Sequence, residues 1–347
     1  MDYFFQVPYE QGPIRPPSEA YSLLIRVTRG CPWNKCEFCG IYAEERFKIR
    51  AVEDIKEDIR NAAAFHAHRG VSFNTAFLQD ANSLIMKTSE LVEVITYLKE
   101  MFPSIQRITS YGRSHTLARK SVEELQALSA AGLSRIHIGL ESGCNDVLRY
   151  MKKGVTAQEH IVAGQKVKAS GISLSEYIVL GLGGKKWWRD HALDTAAVLN
   201  EIDPDFIRVR TLSVRPESPL REKLLSGEFE CLSEDELILE EKSLIEHFKG
   251  INSYFVSDHM LNLLMELNGK LPDDKEKMLS IIDRYLSLPE LERLNFSVGR
   301  RLGYYTLLDD MKEEERYSRV KERIDKISAT HPDGIEAVIK AWMERMI

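Results

Sequence analysis

Short runs of alternating apolar and polar residues, separated by stretches with apolar residues three and four apart, fill the first two thirds of the chain. The alternating runs Ser22–Val27, Thr75–Gln79, Arg107–Tyr111, Arg135–Leu140, Ser173–Leu180 and Phe206–Leu212 read as strands. Between them Val52–His68, Ser89–Met101 and Val122–Ala131 read as helices. Ser121 with Glu124, and Thr156 with Glu159, form capping boxes, and Gly132 and Gly171 stand where helices end. Strands alternating with helices predict parallel βαβ units. Residues 1–20 read as an irregular lead-in and 21–225 as the α/β domain. Beyond that the period turns helical, with Ser233–Phe248, Asp274–Leu286, Met311–Ile327 and Asp333–Met346, so 226–347 is expected to be a helical C-terminal region.

The strands differ from those of an ordinary doubly wound sheet, which are apolar on both faces. In the fourth, Ile136, Ile138 and Leu140 share one face and His137, Gly139 and Glu141 the other. In the sixth, Ile207 and Val209 oppose Arg208 and Arg210. A polar face repeated over several strands suits a lumen that binds something polar, with its site at the C-terminal strand ends. The fold expected is a six-stranded parallel partial (β/α)6 barrel.

Composition narrows the function classes. Of 347 residues 44% are hydrophobic, and the net charge of −6 argues against a nucleic-acid partner. No apolar run reaches the ~18–20 residues of a membrane span. The N-terminus lacks the apolar core of a secretory signal, so a cytoplasmic protein with no membrane partner is expected.

Three of the five cysteines, Cys31, Cys36 and Cys39, fall within nine residues directly after the first strand. Three thiolates on one loop converge on a soft metal centre. A [4Fe–4S] cluster with three protein ligands, a zinc site with a fourth ligand from elsewhere, and unrelated thiols all remain open on spacing alone.

The loop Arg29-Gly-Cys31-Pro-Trp-Asn-Lys-Cys36-Glu-Phe-Cys39 resembles the radical S-adenosylmethionine (SAM) signature, usually C-x3-C-x2-C, here with a four-residue first gap. Ile138-Gly-Leu-Glu-Ser-Gly143, Met151-Lys-Lys-Gly154 and Ile178-Val-Leu-Gly-Leu-Gly-Gly184 resemble segments of its coproporphyrinogen III dehydrogenase-like and Elongator-like branch. The resemblance spans roughly residues 20–220 and implies that Cys31, Cys36 and Cys39 ligate a [4Fe–4S] cluster whose open iron is chelated by SAM. It further implies that Phe38 touches the adenine, that Glu141 takes the ribose hydroxyls, and that Gly181, Gly183 and Gly184 let backbone approach the adenine. Lys153 falls where relatives place a cation for the SAM carboxylate; its other reading is a solvated helix residue. Where many relatives hold the SAM amino group with a Glu, this chain has Leu78-Gln79-Asp80-Ala81, leaving Gln79 or Asp80 to substitute. Tyr177 stands where relatives tend to place an Asp. The implied activity is reductive SAM cleavage to a 5′-deoxyadenosyl radical, fed by an external flavodoxin- or ferredoxin-like reductant.

The substrate is read from side chains alone. Arg208 and Arg210, with Arg26, point to an anionic small molecule, because Arg binds carboxylate or phosphate bidentately; the other reading pairs them with carboxylates such as Glu141. Tyr177 and His137 complete the candidate catalytic set, His137 as a hydrogen donor or a buried, satisfied group. Ser257-Asp258-His259 either supplies acid–base chemistry or caps a helix over Met260–Leu267. The rivals to a small-molecule radical SAM enzyme are a porphyrin- or haem-directed one and a non-enzymatic iron–sulfur carrier or sensor.

Overall fold

All six strands expected from alternation form in the computed structural model, which describes residues 7–330 and 334–345. They are β1 (Leu23–Arg26), β2 (Thr75–Gln79), β3 (Arg107–Gly112), β4 (Leu133–Glu141), β5 (Ser173–Leu180) and β6 (Phe206–Thr211). The chain divides into two units, Met1–Leu140 with Lys152–Glu176, and Glu141–Met151 with Tyr177–Ile347.

In the first unit the strand order is β1-β2-β3-β4-β5, following the chain. The ladders β1/β2, β2/β3 and β3/β4 are parallel, with Leu24 opposite Phe77 and Ser110 opposite Ile136. The connecting helices are α1 (Val52–Ala67), α2 (Thr88–Met101), α3 (Val122–Ala131) and α4 (Ala157–Ala169). Helix α1 packs on α2, and α2 on α3. Ile25, Phe77, Leu78, Ile136 and Ile138 are among the buried apolar residues of this α/β layer. Both capping boxes are present, with Ser121 Oγ accepting from the Glu124 amide at 3.1 Å and Thr156 Oγ1 from that of Glu159 at 3.2 Å.

The second unit continues with β5-β6-β7-β8, where β7 is Tyr254–Val256 and β8 is Asn268–Lys270. Strand β7 runs parallel to β6 and antiparallel to β8. Two strands thus lie in what the sequence offered as a purely helical region. At three residues each they are too short for alternation to register. The helices here are α5 (Gly184–Ile202), α6 (Glu234–Glu246), α7 (Lys275–Leu286), α8 (Glu290–Arg301), α9 (Glu314–Thr330) and α10 (Ile335–Arg345). Helix α9 begins later than expected because Leu308–Lys312 is a 3-10 turn. Asp333 and Met346, the expected ends of α10, lie outside the described residues.

The helix over Met260–Leu267, one of the two readings of Ser257-Asp258-His259, is absent; the segment is irregular with turns. Its carbonyls are taken by side chains instead. Arg300 donates to Leu263 O and Asn262 O at 2.9 and 3.1 Å, and Arg301 to Leu261 O and Met260 O at 3.0 and 3.3 Å. A carbonyl engaged by a guanidinium needs no amide four residues on, which relieves an irregular buried loop of its desolvation penalty. Among the described residues no helix is long and apolar enough to cross a membrane.

Candidate functional site

The cysteine loop leaves β1 through Thr28–Arg29, which pairs antiparallel with Lys48–Ile49 and so closes residues 30–47 into an excursion. Gly30 turns the chain at φ +74, where a Cβ would be strained, and its N–H donates to Asp80 Oδ2 at 2.9 Å. Arg26 donates to the same oxygen through Nε and Nη2 at 3.0 and 2.7 Å. It also reaches Glu10 at 2.9 Å and Glu45 at 2.5 Å. Arg29 grips Glu10 with two further bonds, at 2.7 and 2.5 Å. The Arg29 hydrogen bond holds the Glu10 carboxyl down at about 2. Arg26, grouped with the substrate arginines from sequence, is therefore committed to three carboxylates of its own unit.

Gln79 and Asp80, expected to hold the SAM amino group, are likewise engaged elsewhere. Gln79 accepts from Gly12 N at 2.9 Å and donates to Gly12 O and Ile14 O at 3.2 and 3.0 Å. Both side chains are fully buried, and a Cβ on Gly12 would lie 2.0 Å from Asp80 Oδ1. They hold the lead-in and the mouth of the cysteine loop. His137 is fully buried, with Nε2 at 3.5 Å from Glu19 Oε1. Burial pushes the Glu19 carboxyl up, but bonds from His137 and Ser22 and the charge of Arg107 hold it at about 2.

The three thiols are partly exposed. The Asn34 amide donates to Cys31 Sγ at 3.4 Å, and the Cys39 amide to Cys36 O at 3.3 Å. Burial pushes the Cys36 thiol up to about 11, opposed by the charge of Lys153 and reinforced by Cys39 and Cys31. Among the described residues no three Cys, His, Asp or Glu side chains stand in ready-made metal-holding geometry; the thiols share a loop and each other's field. The Lys152–Gly154 turn docks onto this loop. Trp33 Nε1 donates to Lys152 O at 2.6 Å, and its ring would be 2.4 Å from a Cβ on Gly154. Lys152 pairs with Glu37 at 2.5 Å, and Arg113 donates to Lys153 O at 3.1 Å. Lys153 Nζ lies 5.9 Å from the Phe38 ring, and Arg113 lies 5.4 Å from that of Trp33. Three soft donors with cations beside them fit an anionic iron–sulfur cluster, whose thiolates a cationic surrounding stabilises.

In the second unit Glu141 ends β4 with φ +64, a left-handed conformation that costs a non-glycine residue roughly 1–2 kcal/mol. The turn after it is pinned by α5: the Gly143 amide donates to Thr195 Oγ1 at 2.8 Å, and Ser142 Oγ meets His191 Nδ1 at 2.8 Å. Gly181 has φ +80, and its amide donates to Glu240 Oε2 at 2.6 Å. The room left by the absent side chains is filled from within the unit. Leu237 stands 2.9 Å from a Cβ on Gly181, the Trp187 carbonyl carbon 2.9 Å from one on Gly183, and the Phe229 ring 2.7 Å from one on Gly184. These glycines admit helix packing in the first place.

Arg208 and Arg210 meet on one carboxylate. Their Nη1 atoms donate to Asp258 Oδ2 and Oδ1 at 2.9 and 3.0 Å, so their ion-pair partner is Asp258 and not Glu141. Arg210 also stacks on Tyr177, 4.7 Å from the ring centroid. Arg208 Nε and Arg210 Nη2 are buried without a hydrogen-bond partner. Burial, with the charge of Arg210, lowers His259 to about 4, so this imidazole is neutral and does not cancel Asp258. The sequence motif Ser257-Asp258-His259 is thereby joined to the arginines of β6. Trp33, Arg113, His191, Thr195 and Glu240 gave no signal in the sequence, since each acts through a partner many residues away.

The chain is 28% identical over 181 residues to the tRNA-2-methylthio-N(6)-dimethylallyladenosine synthase of Geotalea uraniireducens (strain Rf4), covering 50% of this chain and 39% of that protein. It is 27% identical over 119 residues to the tRNA uridine(34) acetyltransferase of Methanocaldococcus infernus, covering 34% and 22%. The chain thus spans less than half the length of these curated relatives. Among solved structures it resembles the cobalamin-dependent SAM radical enzyme OxsB with aqua-cobalamin and SAM bound, at TM-score 0.52 and 15% identity, over 94% of this chain and 58% of that one. It also resembles the radical SAM methyltransferase TsrM of Kitasatospora setae with cobalamin and a [4Fe–4S] cluster bound, at TM-score 0.50 and 16% identity, over 91% and 65%. At such identities the likeness is one of fold, an α/β partial barrel with a mostly parallel sheet. The family model for the radical SAM superfamily, whose enzymes bind a [4Fe–4S] cluster and SAM, matches residues 25–196, and this segment is a radical SAM domain.

Proposed function

We propose that this chain holds a [4Fe–4S] cluster on Cys31, Cys36 and Cys39, cleaves SAM there with an electron from an external reductant, and uses the 5′-deoxyadenosyl radical to take hydrogen from an anionic small molecule. The observation that carries the reading is the docking of Lys153 and Arg113 against the loop that bears the three thiols. Glu141 accepts hydrogen bonds from the ribose hydroxyls, Lys153 meets the SAM carboxylate, and the backbone at Phe38, Gly181 and Gly183 borders the adenine. Arg208 and Arg210 orient the substrate anion through the donors that Asp258 leaves over, with Tyr177 stacked beside them. With Asp258 between two guanidiniums the cluster carries net positive charge, which favours an anion.

Anaerobic reconstitution tests the first part: about four irons per chain and reductive formation of 5′-deoxyadenosine are expected. A protein that binds neither iron nor SAM sinks it. For the substrate, Arg210→Met is expected to weaken substrate binding and to spare uncoupled SAM cleavage. A second reading takes tRNA as the anion, because relatives named above act on tRNA by name. Stimulation of 5′-deoxyadenosine formation by tRNA, and not by a small-molecule extract, would favour it.

A further inference from the structure

Glu141 is the least expected residue in the second unit to be found at positive φ, and its two successors explain how it stays there. Ser142, His191 and Thr195 are all buried, at 0%, 2% and 1% exposure. His191 Nε2 lies 3.0 Å from Val179 O. A carbonyl oxygen only accepts, so Nε2 carries the proton and Nδ1 of the neutral ring is the acceptor. Ser142 O–H therefore donates to Nδ1 at 2.8 Å, while Ser142 Oγ accepts from the Cys144 amide at 3.0 Å. Thr195 Oγ1, one helical turn along α5 from His191, takes the Gly143 amide at 2.8 Å. Gly143 itself has no alternative, because a Cβ there would be 2.4 Å from Asp194 O and 2.6 Å from Thr195 Cα. The two residues after Glu141 are thus held by two directed bonds to one face of α5 and a third inside the turn, which over-determines the strained residue before them.

We infer that His191 and Thr195 are positioning residues for SAM binding, acting through Glu141. Neither need touch SAM; they fix the backbone from which the Glu141 carboxylate is aimed at the ribose. The inference rests on the reading of Glu141 as the ribose-binding residue, and the test separates the two. Equilibrium binding of SAM to the cluster-loaded protein is measured for Glu141→Ala, His191→Ala, Thr195→Val and Thr195→Ser, with both His191→Ala and Thr195→Val repeated in the Glu141→Ala background. His191→Ala and Thr195→Val are each expected to weaken SAM roughly tenfold, the scale of one mispositioned buried hydrogen bond. Iron content should stay at the wild-type level, and Thr195→Ser, which keeps the hydroxyl, should bind as wild type. In the Glu141→Ala background neither substitution should weaken SAM further, because interacting positions are non-additive. Equal losses in both backgrounds, or no loss in the parent, overturn the inference while leaving the role of Glu141 standing. An unchanged affinity in Glu141→Ala alone overturns that role and the inference with it. Thr195→Val exchanges the hydroxyl for an isosteric methyl and Thr195→Ser keeps the hydroxyl, so the pair remains informative if His191→Ala does not fold.

Discussion

The loop that carries the cysteines and the loop that carries Glu141 are built on opposite principles. The first is held by charge: Arg26, Arg29 and Arg50 grip Glu10, Glu45, Asp80 and Asp58, and Lys152 grips Glu37. The second is held by neutral groups, a serine, a threonine and an imidazole kept uncharged because burial lowers it to about 4. A neutral bond of this kind contributes about 1 kcal/mol and resists salt, whereas a buried ion pair costs about 3–5 kcal/mol when one partner is deleted. The charged loop therefore stands or falls as a network; the neutral one yields by degrees.

The contrast can be broken from either side. The largest effect is expected from Cys36→Ala, which should abolish cluster loading while the fold persists, read as iron per chain beside the far-ultraviolet circular dichroism spectrum. Next is Asp80→Ala, which strands the Arg26 guanidinium in a site 8% exposed. A loss of about 3–5 kcal/mol in denaturant unfolding is expected, and a change under 1 kcal/mol would show that Glu10 and Glu45 suffice.

The two units should also answer pH in opposite senses. Glu10 and Glu19 are held at about 2 in the folded state, below their unfolded value near 4.5. The stability they contribute is complete above pH ~4.5 and is lost as pH falls toward ~2. Glu240 and Glu241 on α6 are pushed up to about 8 by burial. In the folded state they bind protons that the unfolded chain has released, so stability falls as pH rises from ~4.5 to ~8. Hydrogen exchange followed across pH should show the lead-in opening first in acid and α6 loosening first toward pH 8. Glu240→Gln with Glu241→Gln should flatten only the second response, and an unchanged slope would remove these two groups from the account. The smallest effect belongs to Ser233→Ala, which removes the α6 capping box and should cost about 1 kcal/mol by thermal unfolding.

Sequence pattern was a good guide where the signal is periodic or local. The six strands, the capping boxes at Ser121, Thr156 and Ser233, and the cysteine loop are written in neighbouring residues. What escaped is long-range. Residues 1–20 offered no period and were given no task, yet Glu10, Gly12, Ile14 and Glu19 reach β1, β2, β3 and β4 with directed bonds. The arginines of β6 showed their charge but not their partner, which lies some fifty positions on. The capping reading of Ser257-Asp258 offered a helix over Met260–Leu267, whose carbonyls are instead taken by the distant Arg300 and Arg301. Tyr177, Phe38, Lys153, Gly181 and Gly183 were singled out by resemblance to a family, not by spacing or period.

The splinting of residues 260–263 by Arg300 and Arg301 has a consequence for the newborn chain. The loop that presents Asp258 cannot settle until those two residues have left the ribosome, roughly 90 codons after Arg210. At about 5–20 residues per second that is an interval of roughly 5–20 seconds. During it the β6 arginines lack the loop that later pairs them, and a nascent polypeptide in that state offers a more strongly cationic surface to any chaperone or polyanion at the tunnel exit.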